Sequence, residues 1–249
     1  MSSLEGRVAL ISGGARGIGA AIVRLFAERG SQVLIGDVLE GEGRSLADDL
    51  GASARFVRLD VTREADWAEA VSVAEAKFGA LSILINNAGL LLTGSVAATA
   101  AEDFRHMIDV NLTGAFHGIA AAVPAMRRAG GGAIVNIGSA ASTTGYAGLA
   151  AYVAAKHGLL GLTKAAALDL AADRIRVNAL LPGQVTTPMT EGWSSSPRLT
   201  PMKRASAPLE IARFAAFLAS DEASYCTGGA FPADGGVTAG LVNGLPQSR

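Results

Sequence analysis

Tyr152 and Lys156 stand four residues apart in LAAYVAAKHGLLGLTK, a segment of helical pattern, so their side chains leave one face of that helix as neighbours. A free tyrosine has a pKa of about 10 and is a poor acid or base near neutrality. An ammonium group and an oxidised nicotinamide ring close by would stabilise the tyrosinate and lower that pKa, which suits the pair to exchanging a proton with an alcohol or ketone. The same spacing also fits an aromatic core residue followed one turn on by a solvated lysine. Ser139 follows an expected strand, where ligand-facing residues of a parallel sheet gather. Its hydroxyl suits holding a substrate oxygen beside the tyrosine, or else capping a loop.

A hydride carrier is suggested further upstream. Gly13-Gly14-Ala15-Arg16-Gly17-Ile18-Gly19 leads from the first expected strand into the first helix. Glycines permit a tight turn and let backbone N–H groups and the helix N-terminus approach a pyrophosphate. A merely structural turn has similar glycines, but strand, glycines and helix in this order point to a dinucleotide. Asp37 ends the second strand about 20 residues later, where a carboxylate accepts hydrogen bonds from ribose hydroxyls and repels a 2′-phosphate. Val38 supplies no compensating cation, so NAD is expected over NADP, with Arg16 in the glycine loop arguing the other way.

These residues need a scaffold, and the chain alternates short β-rich segments with longer helical ones, the pattern of an α/β doubly wound parallel sheet with helices on both faces. Seven strands are expected, near 7–12, 32–37, 54–60, 82–87, 132–138, 175–181 and 229–233. Runs such as VALIS, QVLIG, SILIN and AIVNI are nearly continuous in apolar residues, as strands covered on both faces must be. Helical spacing is clear in GIGAAIVRLFAERG, EADWAEAVSVAEAKFG, AEDFRHMIDVNLTGAFHGIAAAVPAMRRAG, LAAYVAAKHGLLGLTKAAALDLAAD and PLEIARFAAFLASDEAS. No repeat or linker divides the 249 residues, which are expected to form one domain. Residues 188–207, rich in Pro, Ser, Gly and Thr, break every period and suggest a lid over the site.

Composition excludes several classes. Half the residues are apolar and the net charge is -1, with no basic block to neutralise a phosphate backbone, so no nucleic acid is expected as partner. Cys226 is the only cysteine and His106, His117 and His157 are scattered, so neither a disulfide nor a metal cluster is expected. His157 points about 100° away from Lys156 around the helix, a structural position. The N-terminal sequence has no leader pattern, and apolar runs break well before the roughly 18 residues of a membrane span, so a soluble cytoplasmic protein is expected. Neither a Gly-x-Ser-x-Gly elbow nor the Lys-Ser/Thr ending of a P-loop occurs, against a serine hydrolase or a phosphoryl transferase.

Over almost its whole length the chain resembles the short-chain dehydrogenase/reductase family. The matching pieces are Ser12-Gly13 through Gly19, Asp60-Val61, Asn86-Asn87-Ala88-Gly89, Asn111, Ser139, Tyr152 with Lys156, Pro182-Gly183 with Thr187, and Asp234-Gly235-Gly236. Ser12 stands where the family usually has Thr. The resemblance implies a catalytic set of Asn111, Ser139, Tyr152 and Lys156, with Tyr152 as acid/base, Ser139 on the substrate oxygen, Lys156 on the nicotinamide ribose and Asn111 supporting a water in the proton relay. Gly13, Arg16, Gly17, Ile18 and Gly19 of the glycine loop count among the cofactor-binding residues, and the resemblance assigns Asp60 and Val61 to the adenine pocket and Asn87, Ala88 and Gly89 to the adenosine ribose and the floor. It assigns Val185 and Thr187 to the nicotinamide carboxamide, and Pro182 and Gly183 beside them count among the cofactor-binding residues. DVLEGEGRSLADDLG, LDVTREADW, VPAMRRAGGGAIVNI and DRIRVNALLPG further resemble bacterial hydroxysteroid dehydrogenases of the 3α,20β type. That implies a bulky apolar ketone or its secondary alcohol, with Leu91, Leu92, Met189 and Trp193 as candidate pocket residues. A 3-oxoacyl carrier protein reductase shares the catalytic set but usually prefers NADP, which Asp37 opposes. The family is usually tetrameric, so a homotetramer is expected, through helix pairs and the carboxy-terminal region.

Overall fold

The computed structural model describes residues 4–191 and 200–240. The centre of the expected lid, residues 192–199 with Trp193, lies outside these described residues, as do residues 241–249. Seven parallel strands form one sheet in the order β3-β2-β1-β4-β5-β6-β7. They are β1 (Val8–Ser12), β2 (Gln32–Asp37), β3 (Ala54–Arg58), β4 (Leu81–Asn86), β5 (Gly132–Ile137), β6 (Ile175–Pro182) and β7 (Ala230–Ala233). All seven expected strands are present, within two residues at either end.

Alternation along each strand divides the core in two. Ala9 and Ile11 of β1 face α1 (Gly17–Glu28), α2 (Glu40–Leu50) and α7 (Pro208–Ala219). Val8 and Leu10 face α3 (Glu64–Phe78), α5 (Gly114–Arg128) and α6 (Ala150–Leu170). With a helix layer on each side, both faces are dry, which is why the strand sequences lack polar alternation. The chain reverses its direction of travel through the sheet at β1, which pairs with β2 on one side and β4 on the other. Ligands of such sheets bind outside the carboxyl ends of the strands at this switch point. Ser12 is level there with Gly36 of β2 and Asn86 of β4, which is level with Asn136 of β5.

Two helices depart from the sequence expectation. Residues 40–50 form α2, whose low apolar content and two glycines hide it from a periodicity search. Gly43 packs directly on the Phe56 ring, so one of those glycines is a close-contact residue. The segment expected as one helix from residue 101 is α4 (Ala101–Ile108), a π-helical turn (Asp109–Thr113) and then α5. Among the described residues no helix is long and apolar enough to cross a membrane.

Candidate active site

The glycine turn is built by backbone conformations that side chains resist. Gly13 and Gly17 have φ of 63° and 58°, in the left-handed region. A Cβ on Gly13 would lie 2.7 Å from the Cα of Ala88, so the turn lies against the segment after β4. Ser12 and Asn87 bolt these pieces together. The Ser12 hydroxyl accepts from the N–H groups of Asn87 and Ala88 at 3.1 and 3.2 Å. Asn87 Nδ2 donates to the carbonyls of Ser12 and Gly13 at 3.1 and 2.8 Å. A hydroxyl suffices for that role, which explains how Ser12 replaces the expected Thr.

The start of α1 has an extended N-cap, Arg16, with no side-chain cap and no acidic residue in the first turn. Its N–H groups and helix dipole therefore suit an anion. Thr187 stands across this opening, its side chain 3.4 Å from where a Gly17 Cβ would be. Asp37 closes the turn from beneath, accepting from the Ala15 N–H at 2.9 Å and the Leu39 N–H at 3.1 Å. Each carboxylate oxygen keeps further acceptor capacity. Arg16 is exposed beside it. These glycines, the uncapped helix start and the fixed carboxylate fit a dinucleotide.

Asp60 and Val61 follow β3. Asp60 accepts from the Thr62 N–H at 3.0 Å and the Thr62 hydroxyl at 2.7 Å. Burial raises its pKa, but those bonds and the charges of Arg58 and Arg63 outweigh it and hold the carboxyl below its ordinary value. Val61 is buried against Gly114, and its carbonyl accepts from Trp67 Nε1 at 3.0 Å.

The four residues expected to do chemistry gather at the ends of β4 and β5. Lys156 is buried, and its Nζ donates to the Ile137 carbonyl at 2.9 Å while lying 5.6 Å from the centre of the Tyr152 ring. Ser139 starts the short 3₁₀ turn Ala140–Ser142, its hydroxyl accepting from the Ala141 N–H at 3.1 Å. The Ser139 hydroxyl lies near enough to the Tyr152 phenol to favour its ionised form. Asn111, within the π-helical turn, clasps Leu90 from both sides: Nδ2 donates to its carbonyl at 2.9 Å and Oδ1 accepts from its N–H at 3.3 Å. Nδ2 also donates to the Met107 carbonyl at 3.0 Å. Gly89 lies between Asn111 and Lys156, since a Cβ there would be 3.0 Å from Asn111 Oδ1 and 3.8 Å from Lys156 Nζ.

The electrostatics differ from the expectation at one point. Burial pushes the Tyr152 phenol above its ordinary value, and the Ser139 hydroxyl offsets this only in part. Lys156, also buried, is lowered to about 8. The anticipated lowering of the tyrosine does not occur within the chain alone, because desolvation penalises both charged forms. His157 is exposed, with Nδ1 2.9 Å from the Val153 carbonyl oxygen of its own helix.

Beyond β6, Gly183 donates its N–H to the Ala233 carbonyl at 3.1 Å. Val185 is buried, and its carbonyl accepts from the Thr190 hydroxyl at 2.6 Å. Thr187 precedes the 3₁₀ turn Pro188–Thr190 and bonds through its N–H to Thr190 Oγ1 at 3.2 Å. Two features escape sequence reasoning. The Ile137 carbonyl that anchors Lys156 is main chain and leaves no residue-type signal. The bridge between Gly94 and Leu149, closed by a 2.7 Å bond from the Gly94 N–H to the Gly148 carbonyl, joins the two loops flanking Tyr152 without a side chain.

A sequence-family profile described as enoyl-(acyl carrier protein) reductase matches residues 13–238. The 3-alpha-(or 20-beta)-hydroxysteroid dehydrogenase of Mycobacterium tuberculosis is 45% identical over 240 residues, covering 96% of this chain and 92% of the relative. Trans-4-hydroxycyclohexanecarboxylate dehydrogenase of Sinomonas cyclohexanicum is 46% identical, covering 97% and 95%. Cyclohexanol dehydrogenase of an Acinetobacter species is 39% identical, covering 95% and 97%.

Proposed function

The chain belongs to the short-chain dehydrogenase/reductase family of nicotinamide-dependent oxidoreductases, and from that premise we propose that it interconverts a secondary alcohol on an alicyclic ring and the corresponding ketone, with NAD. The observation that carries this reading is the buried Lys156 amine 5.6 Å from the centre of the Tyr152 ring, with the Ser139 hydroxyl near enough to lower the phenol's pKa.

In the oxidative direction, the substrate hydroxyl sits against Ser139 and Tyr152. Ser139 orients the oxygen, and Tyr152 accepts its proton as the carbon–oxygen double bond forms. When bound, the oxidised nicotinamide supplies the acceptor for the carbinol hydrogen as hydride and a positive charge near the phenol. Lys156, held by the Ile137 carbonyl 5.6 Å from the Tyr152 ring centre, would add its own charge and help offset the burial that raises the phenol. Asn111 keeps Leu90, and with it the loop beside the reacting atoms, in register. Gly13, Arg16, Gly17, Ile18 and Gly19 would hold the pyrophosphate, Asp37 the adenosine ribose, Asp60 and Val61 the adenine, and Asn87, Ala88 and Gly89 the floor. Pro182, Gly183, Val185 and Thr187 would hold the nicotinamide end. The preference for NAD rests on Asp37, a buried carboxylate fixed by two backbone donors that a 2′-phosphate would have to approach.

Two facts support a ring alcohol. The similar dehydrogenases act, by their names, on a 3-alpha-(or 20-beta)-hydroxysteroid, a hydroxycyclohexanecarboxylate and cyclohexanol; the last two and the steroid 3α-hydroxyl are secondary alcohols on a carbocycle, while the steroid 20β-hydroxyl is a secondary alcohol on the side chain of one. The segments following β4, β5 and β6 also carry exposed apolar side chains, namely Leu92, Val96, Tyr146, Met189 and Met202. The test is a panel of cyclohexanol, 4-hydroxycyclohexanecarboxylate, a 3α-hydroxysteroid, 2-octanol and a 3-oxoacyl thioester, each with NAD(H) and NADP(H). Turnover of the ring alcohols with NAD, lost about 10²–10⁴-fold in Tyr152→Phe, is expected. Strict NADP use, turnover confined to the thioester, or equal activity in Tyr152→Phe would sink it.

A further inference from the structure

The closing Asp234-Gly235-Gly236 takes no part in the chemistry above, yet its side chain is buried and fully engaged. Asp234 Oδ1 accepts from the Gly236 N–H at 2.9 Å, and Oδ2 accepts from the Thr238 N–H at 2.9 Å and the Thr238 hydroxyl at 2.5 Å. These bonds tie residues 234–238 into a closed turn. Burial raises the carboxyl's pKa, but the donors outweigh it and keep the group below its ordinary range.

Two pieces of the site's surroundings rest on this turn, and a third lies within reach of its charge. Gly183, at the nicotinamide corner, approaches so closely that a Cβ on it would lie 2.7 Å from Asp234 Cα and 2.9 Å from the Asp234 carbonyl oxygen. Met202 donates its N–H to the Gly235 carbonyl at 3.1 Å, and Thr200 and Pro201 pack on Gly235 and Gly236. Tyr146, on the loop leading to α6, feels burial first and then the Asp234 charge, both raising its phenol.

We propose that Asp234 is a positioning residue: its carboxylate holds the turn against which Gly183 and residues 200–202 are set, and so fixes the nicotinamide corner relative to the substrate wall. The kinetic part rests on the function proposed above. All three donors point at the carboxylate from its own turn, so it acts through backbone placement. An offset of about 1 Å in such placement costs up to about a hundredfold in rate. The glycine turn beyond β1 is separated from β7 by β4, β5 and β6, so the adenosine end does not depend on this contact.

The test compares Asp234→Ala and Asp234→Asn with the parent protein, below the unfolding midpoint of each. Asp234→Ala is expected to lower kcat and raise KM for a ring alcohol, about tenfold each, while the Kd for NAD by titration moves less than about twofold. Asp234→Asn keeps the acceptor for Gly236 but faces Thr238 with a donor, so it should fall between. Peptide-level hydrogen exchange gives a readout independent of turnover: Met202 and Gly183 should exchange faster in Asp234→Ala, and residues 13–19 at the parent rate. A folded Asp234→Ala with parental kinetics, or with a lower midpoint and parental exchange at Met202 and Gly183, overturns the proposal. Should Asp234→Ala fail to fold, Thr238→Val removes the hydroxyl bond alone and must show the same local exchange. If the parent oxidises no ring alcohol, the functional reading fails while the exchange comparison still decides the positioning.

Discussion

Burial acts in opposite directions on the two groups of the catalytic face, raising the Tyr152 phenol and lowering Lys156 from its ordinary 10.5 to about 8. Each shift favours a neutral form, and the lysine's has a consequence for stability. Between pH 8 and 10.5 the unfolded chain keeps the Lys156 proton and the folded chain loses it, so the unfolded state binds more protons and stability rises with pH through that window. Below about pH 8 the penalty for burying the ammonium is present in full. In urea titrations, Lys156→Met should therefore compare best with the parent below pH 8 and lose ground as pH climbs toward 10.5. A stability difference that stays flat across this range would show that Lys156 keeps its ordinary pKa. Tyr152 and Lys156 were legible because a helical spacing places two functional side chains on one face. The carbonyl of Ile137 that orients the lysine was not, because any residue type supplies one.

At the scale of elements, the strands were readable from unbroken apolar runs, since a strand dry on both faces has no other composition open to it. Helix α2 was not, because its buried face amounts to Gly43, Leu46 and Ala47. The π-helical turn was equally hidden, as widening a helix by one residue leaves the flanking periodicity nearly intact. Asn111 shows what the turn is for: its amide satisfies both backbone groups of Leu90 and the carbonyl of Met107. Asn111→Leu should leave the Met107 carbonyl and the half-buried polar groups of Leu90 without these partners and destabilise the fold by about 1 kcal/mol, the low end of the 1–3 kcal/mol typical of a buried unpaired group. Chemical denaturation measures this directly. A loss under about 0.5 kcal/mol would mean that water satisfies the Leu90 groups once the amide is gone.

At the scale of the whole molecule, large apolar side chains are left in water on two regions away from the loops of the site. Phe104, Phe116 and Leu168 are exposed on α4, α5 and α6, on one side of the sheet. Leu209 on α7 and Tyr225 just beyond it are exposed toward the end of the sheet formed by β7, one of its two edge strands. A soluble monomer has little reason to present two such patches, and an outer strand is an open template for pairing. Two different self-complementary patches, each joining like to like, close as a tetramer of dihedral symmetry. A net charge of -1 offers little repulsion against that association. The predicted state is a homotetramer at micromolar concentration by multi-angle light scattering. The double substitution Phe116→Asp and Leu168→Asp should yield a dimer held by the α7 and β7 side alone, since a charge facing its own symmetry mate in a desolvated contact is strongly unfavourable. A monomeric parent protein would refute the assembly, and a double variant that remains tetrameric would remove the α5 and α6 surface from it.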